Sequence, residues 1–267
     1  LDEVVLPDSV EVIGEGAFAD CSWMQTMTMG RGVKSVGSRA FAGCTKLAAV
    51  RFADGLGEIG DAAFSNCWRM MSVSIPVSVS NIVASAFLDC SSLTGLTVPT
   101  GLVPLSEWFA PVYRQIENVM VSEGATEVCA EMFAGCVALK SLKLSGGVTN
   151  IAGGAFRECV TLETVLLPES LEAIGDEAFM GCVALREIAL PKDVATLGKR
   201  MFSGCTKLAE VTLPLALTAI SDGMFLGCEA LDSFVVPSEV TTLGSQIVSS
   251  ATTAIYYLGN APTYAAD

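Results

Sequence analysis

Histidine is absent from all 267 residues. That removes the commonest general base, the commonest zinc ligand and every Ser-His or Cys-His nucleophile pair. Basic residues are scarce as well: 15 Lys and Arg stand against 29 Asp and Glu, for a net charge of -14. A field of that sign repels phosphate backbones and anionic headgroups, so neither nucleic-acid nor membrane-surface binding is expected. No apolar run approaches the roughly 20 residues needed to span a bilayer, so membrane insertion is not expected either. No D-x-D-x-D calcium loop occurs, and no phosphate-cradling glycine loop is expected. Carboxylates fall mainly on turns, as at Asp8, Glu11, Glu58, Glu169, Glu172 and Glu239. Such rows keep an apolar protein soluble, and no acid pair breaks the repeat as a glycosidase dyad would. Catalytic residues, cofactors and metals are therefore not expected.

What the chain does have is a period. Cysteines stand at 21, 44, 67 and 90, and again at 136, 159, 182, 205 and 228. Each step is 23 residues, and the gap between the two runs is twice that. Phenylalanine keeps the same beat three residues earlier, from Phe18 to Phe87 and from Phe133 to Phe225. The shared unit is C-x-x-L-x-x-V-x-L-P-x-x-V-x-x-I-G-x-x-A-F-x-x, and about eleven units fill the chain. The V-x-L segment alternates over a few residues, which predicts a short strand. Proline follows at 7, 76, 99, 168, 191, 214 and 237, where its missing N–H ends the strand. Two apolar anchors and a turn glycine come next. An acid, as at Asp61, Asp176 and Asp222, then opens a short polar pair and suits the positive end of a brief helical turn. One unit cannot bury its own apolar edge, whereas stacked units can. The prediction is a right-handed repeat solenoid of leucine-rich-repeat type. Each 23-residue unit would carry one short parallel β-strand and a short helical or 3-10 turn.

The repeated I-G-x-x-A-F-x-x-C-x-x-L-x-x-V-x-L-P string resembles the BspA-like leucine-rich repeat family of bacterial and protist surface proteins. The resemblance covers residues 1 to about 248. Proline replaces the asparagine usual after the leucine-rich strand, so an asparagine-ladder horseshoe is not assumed. The resemblance implies a non-enzymatic protein-interaction module, adhesin-like, on a cell-surface or secreted protein. Its partner would be host matrix or another surface protein. One alternative is a structural spacer presenting another domain; a more distant one is the accessory repeat region of a secreted enzyme. The expected location is extracellular or cell surface, and the expected state is a monomer.

The repeat fails in two places. Residues 99 to 129 keep the beat but lose its markers, with the degenerate unit near 99–121. Ala110 stands where Phe belongs, with Phe109 beside it, and Tyr113 replaces the cysteine. Leu102, Leu105, Ile116, Val119 and Val121 keep the apolar register. This is either a locally repacked turn or a bulge carrying Trp108 and Tyr113 outward for a partner. The solenoid is expected over 1–248, and 249–267 reads as an atypical C-terminal strand and cap. Leu1 opens almost directly into the first strand, so the chain is expected to be part of a longer one.

Ten cysteines in an extracellular chain would ordinarily suggest disulfides. Here nine form one column pointing the same way into the core, where free thiols behave as small hydrophobes. Cys129 instead occupies the turn-glycine column and is the one thiol expected near solvent. Most methionines fall in core columns. The outward strand position runs through Val5, Thr28, Arg51, Ser74, Thr97, Met120, Lys143, Leu166, Ala189, Thr212 and Val235. This column is weakly charged and partly apolar, as a protein-binding solenoid face would be; an ordinary solvated sheet is the alternative. Trp23 and Trp68 lie just after ladder cysteines, and with Arg51 they could form one edge of a partner site. Each tryptophan could equally lie flat over a neighbouring turn and serve packing.

Overall fold

The computed structural model describes residues 2–99 and 104–260, with the backbone of 263–264. Leu1 and Leu102, both assigned roles from the sequence, lie outside the described residues. Two compact units are present, 1–120 and 121–267. Both are parallel β-solenoids in which each turn of the coil takes 23 residues, as in the pairings Glu3↔Thr26 and Asn150↔Ala173.

Most coils lay down two strands where one was expected. In the first unit the V-x-L segments form Glu3–Val5, Thr26–Thr28, Ala49–Arg51, Ser72–Ser74 and Gly95–Val98. A second row holds Val12–Ile13, Ser35–Val36, Glu58–Ile59 and Asn81–Ile82, paired in that order. Two-residue strands are too short to show an alternation, which is why only their apolar anchors were legible. The second unit repeats the arrangement, with Asn150–Ile151, Ala173–Ile174 and Thr196–Leu197 in its second row. Proline does more than stop the strand. Its carbonyl accepts the N–H three residues on, as in Val10 to Pro7 and Val194 to Pro191 at 3.1 and 3.2 Å, and so turns the chain from one row to the other. At the C-terminal end Ala254–Tyr257 pairs with Ser233–Val236 at a step of 21 rather than 23 residues.

The expected helical turn is a run of hydrogen-bonded turns. Ala17, Ala19 and Cys21 donate three residues back, to Gly14, Gly16 and Phe18, at 3.0–3.3 Å. The residues between them, Gly16, Phe18 and Asp20, donate instead to Ser38, Ala40 and Ala42 of the next coil at 2.7–3.0 Å. Local and cross-coil bonds therefore alternate. The geometry needs two left-handed residues in nearly every coil. One is in the column of Gly16, Arg39, Ala62 and Glu177; the other is just before the cysteine, as at Asp20, Gly43, Asn66, Glu158 and Gly181. Each left-handed residue stops helix propagation. The acids at the head of the turn also have a different partner from the expected helix dipole: Asp176 accepts the Lys199 N–H at 2.7 Å and Asp222 the Ser245 N–H at 2.9 Å. They satisfy backbone donors of the next coil.

Phenylalanine stacks run through the core. In the first unit Phe18, Phe41, Phe64, Phe87 and Phe109 stack with ring centroids 5.1–5.4 Å apart. In the second, Phe133 to Phe225 stack at 5.1–5.8 Å. The cysteines back this column. Cys90, Cys159, Cys182 and Cys205 each donate the thiol proton to the preceding coil's Phe carbonyl at 3.1 Å. All ten cysteines are free thiols, and eight are buried. Burial pushes the Cys44 thiol up to about 11 and those of Cys90 and Cys228 to about 12. Cys21 departs from the expectation of nine protected ladder thiols. It is exposed. The glycine after the second strand marks close approach of coils: a Cβ on Gly175 would lie 2.6 Å from the Gly153 amide nitrogen. Cys129, in that column, is half-buried.

The degenerate coil is repacked inward. A single α-helical turn, Leu105–Trp108, advances the register by one residue and sets Phe109 on Phe87 at 5.1 Å, in place of the residue the count would choose. Trp108 is buried at 6% exposure, so of the two readings the repacked turn holds and the outward bulge does not form. Tyr113 is half-buried at the start of a 3-10 turn that runs to Gln115. Gln115 donates through Nε2 to the Cys90 and Leu93 carbonyls, at 2.8 and 3.0 Å.

Candidate functional site

A strand with one buried face must turn its alternate residues to solvent. The outward column is thus a direct product of the V-x-L pattern, and its exposed members include several large apolar side chains. In the first unit these are Val5 and Met120; in the second, Leu166, Val235 and Tyr256. Leu166 is the extreme case, at 85% exposure. Arg51 and Lys143 are exposed members of the same column.

The strand row is not hydrogen-bonded throughout. Leu6, Met29, Ile75 and Leu190 each donate their N–H to the outward residue of the next coil, at 2.9–3.0 Å. Among the described residues no such bond joins Leu167 to Ala189. Leu166 meets Lys143 by an isolated bridge on one side, while Glu187–Ala189 pairs only with Glu210–Thr212 on the other. A groove of about 530 Å³ opens along this seam, lined by residues 164–167, 187–192, Glu169, Glu210 and Thr212. Glu187 and Glu210 are direct register partners, so two exposed carboxylates lie side by side. The only sequence signal for this place is a leucine in an otherwise mostly small or polar column.

Trp23 and Trp68 are both exposed, at 66% and 52%. Trp23 carries the Lys46 ammonium 3.4 Å from its ring centroid and borders a hollow with Val4, Phe18 and Cys21. Trp68 lines another hollow with Ser22, Arg39 and Thr45, and Arg51 a third with Phe52, Asp54 and Ser74. The hollows beside Trp23 and Trp68 share Asp20 and Ser22, and the one beside Arg51 shares no lining residue with either. The turn edge of the second unit bears an ion-pair ladder, from Glu131 to Arg157 at 2.9 Å, to Glu177 at 3.7 Å, and from Glu177 to Arg200 at 2.7 Å. Lys199 and Asp222 pair at 2.8 Å, which raises the ammonium pKa and lowers that of the carboxyl.

The string GLGEIG at 55–60 meets the G-x-G-x-x-G spacing by letters, contrary to the expectation of no glycine loop. Its middle is the strand Glu58–Ile59, and turns follow in place of a helix, so no helix N-terminus is available for a phosphate. Among the described residues no group of three or more His, Cys, Asp or Glu side chains could hold a metal ion. No helix among them is long and apolar enough to cross a membrane.

The BspA type leucine rich repeat region matches residues 1–109 and 126–254, in six copies. No curated protein matches the chain. A leucine-rich repeat protein from Bacteroides ovatus is 24% identical, with a TM-score of 0.47 over 99% of this chain and 74% of that one. One from Eubacterium ventriosum is 22% identical, with a TM-score of 0.41 over 95% and 84%. A leucine rich cell surface protein from Faecalibacterium prausnitzii is 18% identical, with a TM-score of 0.33 over 97% and 88%.

Proposed function

Because the chain belongs to the BspA-type leucine-rich repeat family, we propose that it is a non-enzymatic protein-interaction module of a cell-surface or secreted protein, adhesin-like, binding through its strand face. The observation that carries this reading is the outward strand column. On a protein of net charge -14, it exposes Val5, Met120, Leu166, Val235 and Tyr256 beside few charged residues. Large exposed apolar and aromatic side chains are the groups that gain most from burial against a partner. The partner is a matrix protein or another surface protein. Arg51 and Lys143 lie within this face; Trp23 and Trp68 offer a second contact on the turn edge. The immobilised chain is to be tested against a panel of purified extracellular-matrix proteins by surface plasmon resonance. Leu166→Glu with Val235→Glu and Tyr256→Glu should weaken capture at least tenfold, and Glu172→Gln on a turn should leave it unchanged. Equal capture by all these variants would refute the strand face; loss only with Trp23→Ala and Trp68→Ala would move the contact to the turn edge.

A further inference from the structure

The seam in the second unit goes further than a generally exposed sheet. We infer that the groove between residues 164–168 and the strand Glu187–Ala189 receives an extended, apolar segment of a partner protein flanked by Lys or Arg side chains. This rests on the strand face being the binding side, and it specifies both the place and the chemistry.

Three observations converge there. Leu166 is the most exposed large apolar residue among the described residues and stands at the lip of the groove, with Ala189 facing it. The N–H of Leu167 lacks the bond that Leu190 makes to Thr212 one coil on, so backbone donors and acceptors at the seam are available to an extended chain. Strand recognition of this kind draws affinity from main-chain bonds and specificity from alternate side chains. Finally, Glu187 and Glu210 lie in direct register, and neither carboxylate has an ion-pair partner among the described residues. Like charges directly opposite on a sheet repel, so a cation arriving between them relieves an existing cost as well as making new pairs. With Glu169 on the same lining and Lys192 as its one cation, the groove is net acidic. A second open seam with a groove, beside Arg51 and Ser74, carries Arg51 and Asp54 in balance and has no comparable apolar lip.

The full chain is titrated against a fluorescein-labelled heptapeptide alternating Lys and apolar residues, Lys-Val-Lys-Leu-Lys-Val-Lys, and read by fluorescence anisotropy. Two controls accompany it, one with Glu in place of Lys and one with Ser in place of Val and Leu. Both controls should bind at least tenfold more weakly. Leu166→Ser, and Glu187→Gln with Glu210→Gln, should each weaken the first peptide at least fivefold without lowering the melting temperature. Hydrogen exchange should show the Leu167 and Ala189 amides gaining protection when the peptide is bound. Absence of binding, or equal affinity across peptides and variants, overturns the seam. Protection confined to another stretch of the strand face overturns it too, while leaving the interaction-module reading intact. Loss of matrix-protein capture in the strand-face variant, with the peptide bound unchanged, would separate the two in the same way.

Discussion

Phe179→Ala tests whether the aromatic column holds the second unit together. The ring is fully buried and stacked on both sides, 5.1 Å from Phe156 at 14° and 5.7 Å from Phe202 at 20°. Phe→Ala changes in close-packed cores cost about 3–5 kcal/mol, through lost transfer energy and the cavity left behind. Each aromatic neighbour adds roughly 0.5–1.5 kcal/mol beyond buried area. Two stacks are lost here, so about 5 kcal/mol is expected. Phe18 provides the internal scale. It is half-buried and among the described residues stacks only on Phe41, so Phe18→Ala should cost about half as much, with one aromatic neighbour lost and a solvent-filled gap. Urea unfolding followed by circular dichroism gives the global loss. Because repeat arrays can unfold in parts, hydrogen exchange at the Phe156, Phe179 and Phe202 amides locates it. A loss under 1 kcal/mol for Phe179→Ala, or equal losses for both variants, would refute a column that faces the core.

Three further outcomes follow from the same geometry. In native protein at pH 8 a thiol reagent should modify Cys21 and Cys129 and leave the eight buried cysteines until urea is added; fast labelling of four or more would contradict the buried ladder. Stability should fall as the pH rises above 9. Cys44 keeps its proton to about 11, and Cys90 and Cys228 to about 12, when folded, whereas all three release it near 9.0 when unfolded, so each of the three adds a loss of about 1.4 kcal/mol per pH unit in that window. Urea midpoints at pH 8, 9, 10 and 10.5 check this, and an unchanged midpoint would place the thiols in water. Glu158→Gly should stabilise by about 0.5–1 kcal/mol, because Glu158 is left-handed at φ 59° in a column where Gly135 and Gly181 serve; a lower melting temperature would mean the glutamate side chain contributes more than its backbone strain costs.

Most of the architecture was legible because a solenoid writes every constraint many times. The Phe and Cys columns, the proline at the strand exit and the register of 23 can all be read by superposing units. What was missed acts over two residues or across coils. The second strand row is too short to alternate. The cross-coil bonds of Gly16, Phe18 and Asp20 join residues 22 apart, which no local pattern reveals. The acids of the turn looked like helix-dipole partners because a carboxylate before a turn has two possible uses, and sequence cannot tell an intra-coil donor from one in the next coil. Trp108 was left open between a repacked turn and an outward bulge because counting assigns Ala110 to the Phe column, whereas one helical turn shifts the register by one residue. The candidate site was legible only as a column; the seam depends on which cross-coil bonds are absent.

Those bonds also explain why the binding face and the core can vary independently. The turn segment commits every second N–H to the neighbouring coil and is fixed further by the thiol-to-carbonyl ladder and the Phe stack. Coil-to-coil cohesion is thus concentrated on the turn side and in the second strand row. The first strand row carries less of it, since its ladder lacks bonds at the seam beside Ala189 while the Phe stack and second row there continue unbroken. An outward substitution on that row changes a surface the fold does not depend on, and an opened seam exposes backbone groups without unstacking the coil. A solenoid that holds itself by one side can therefore present the other to a partner, and a single leucine such as Leu166 becomes a recognition feature at little cost in stability.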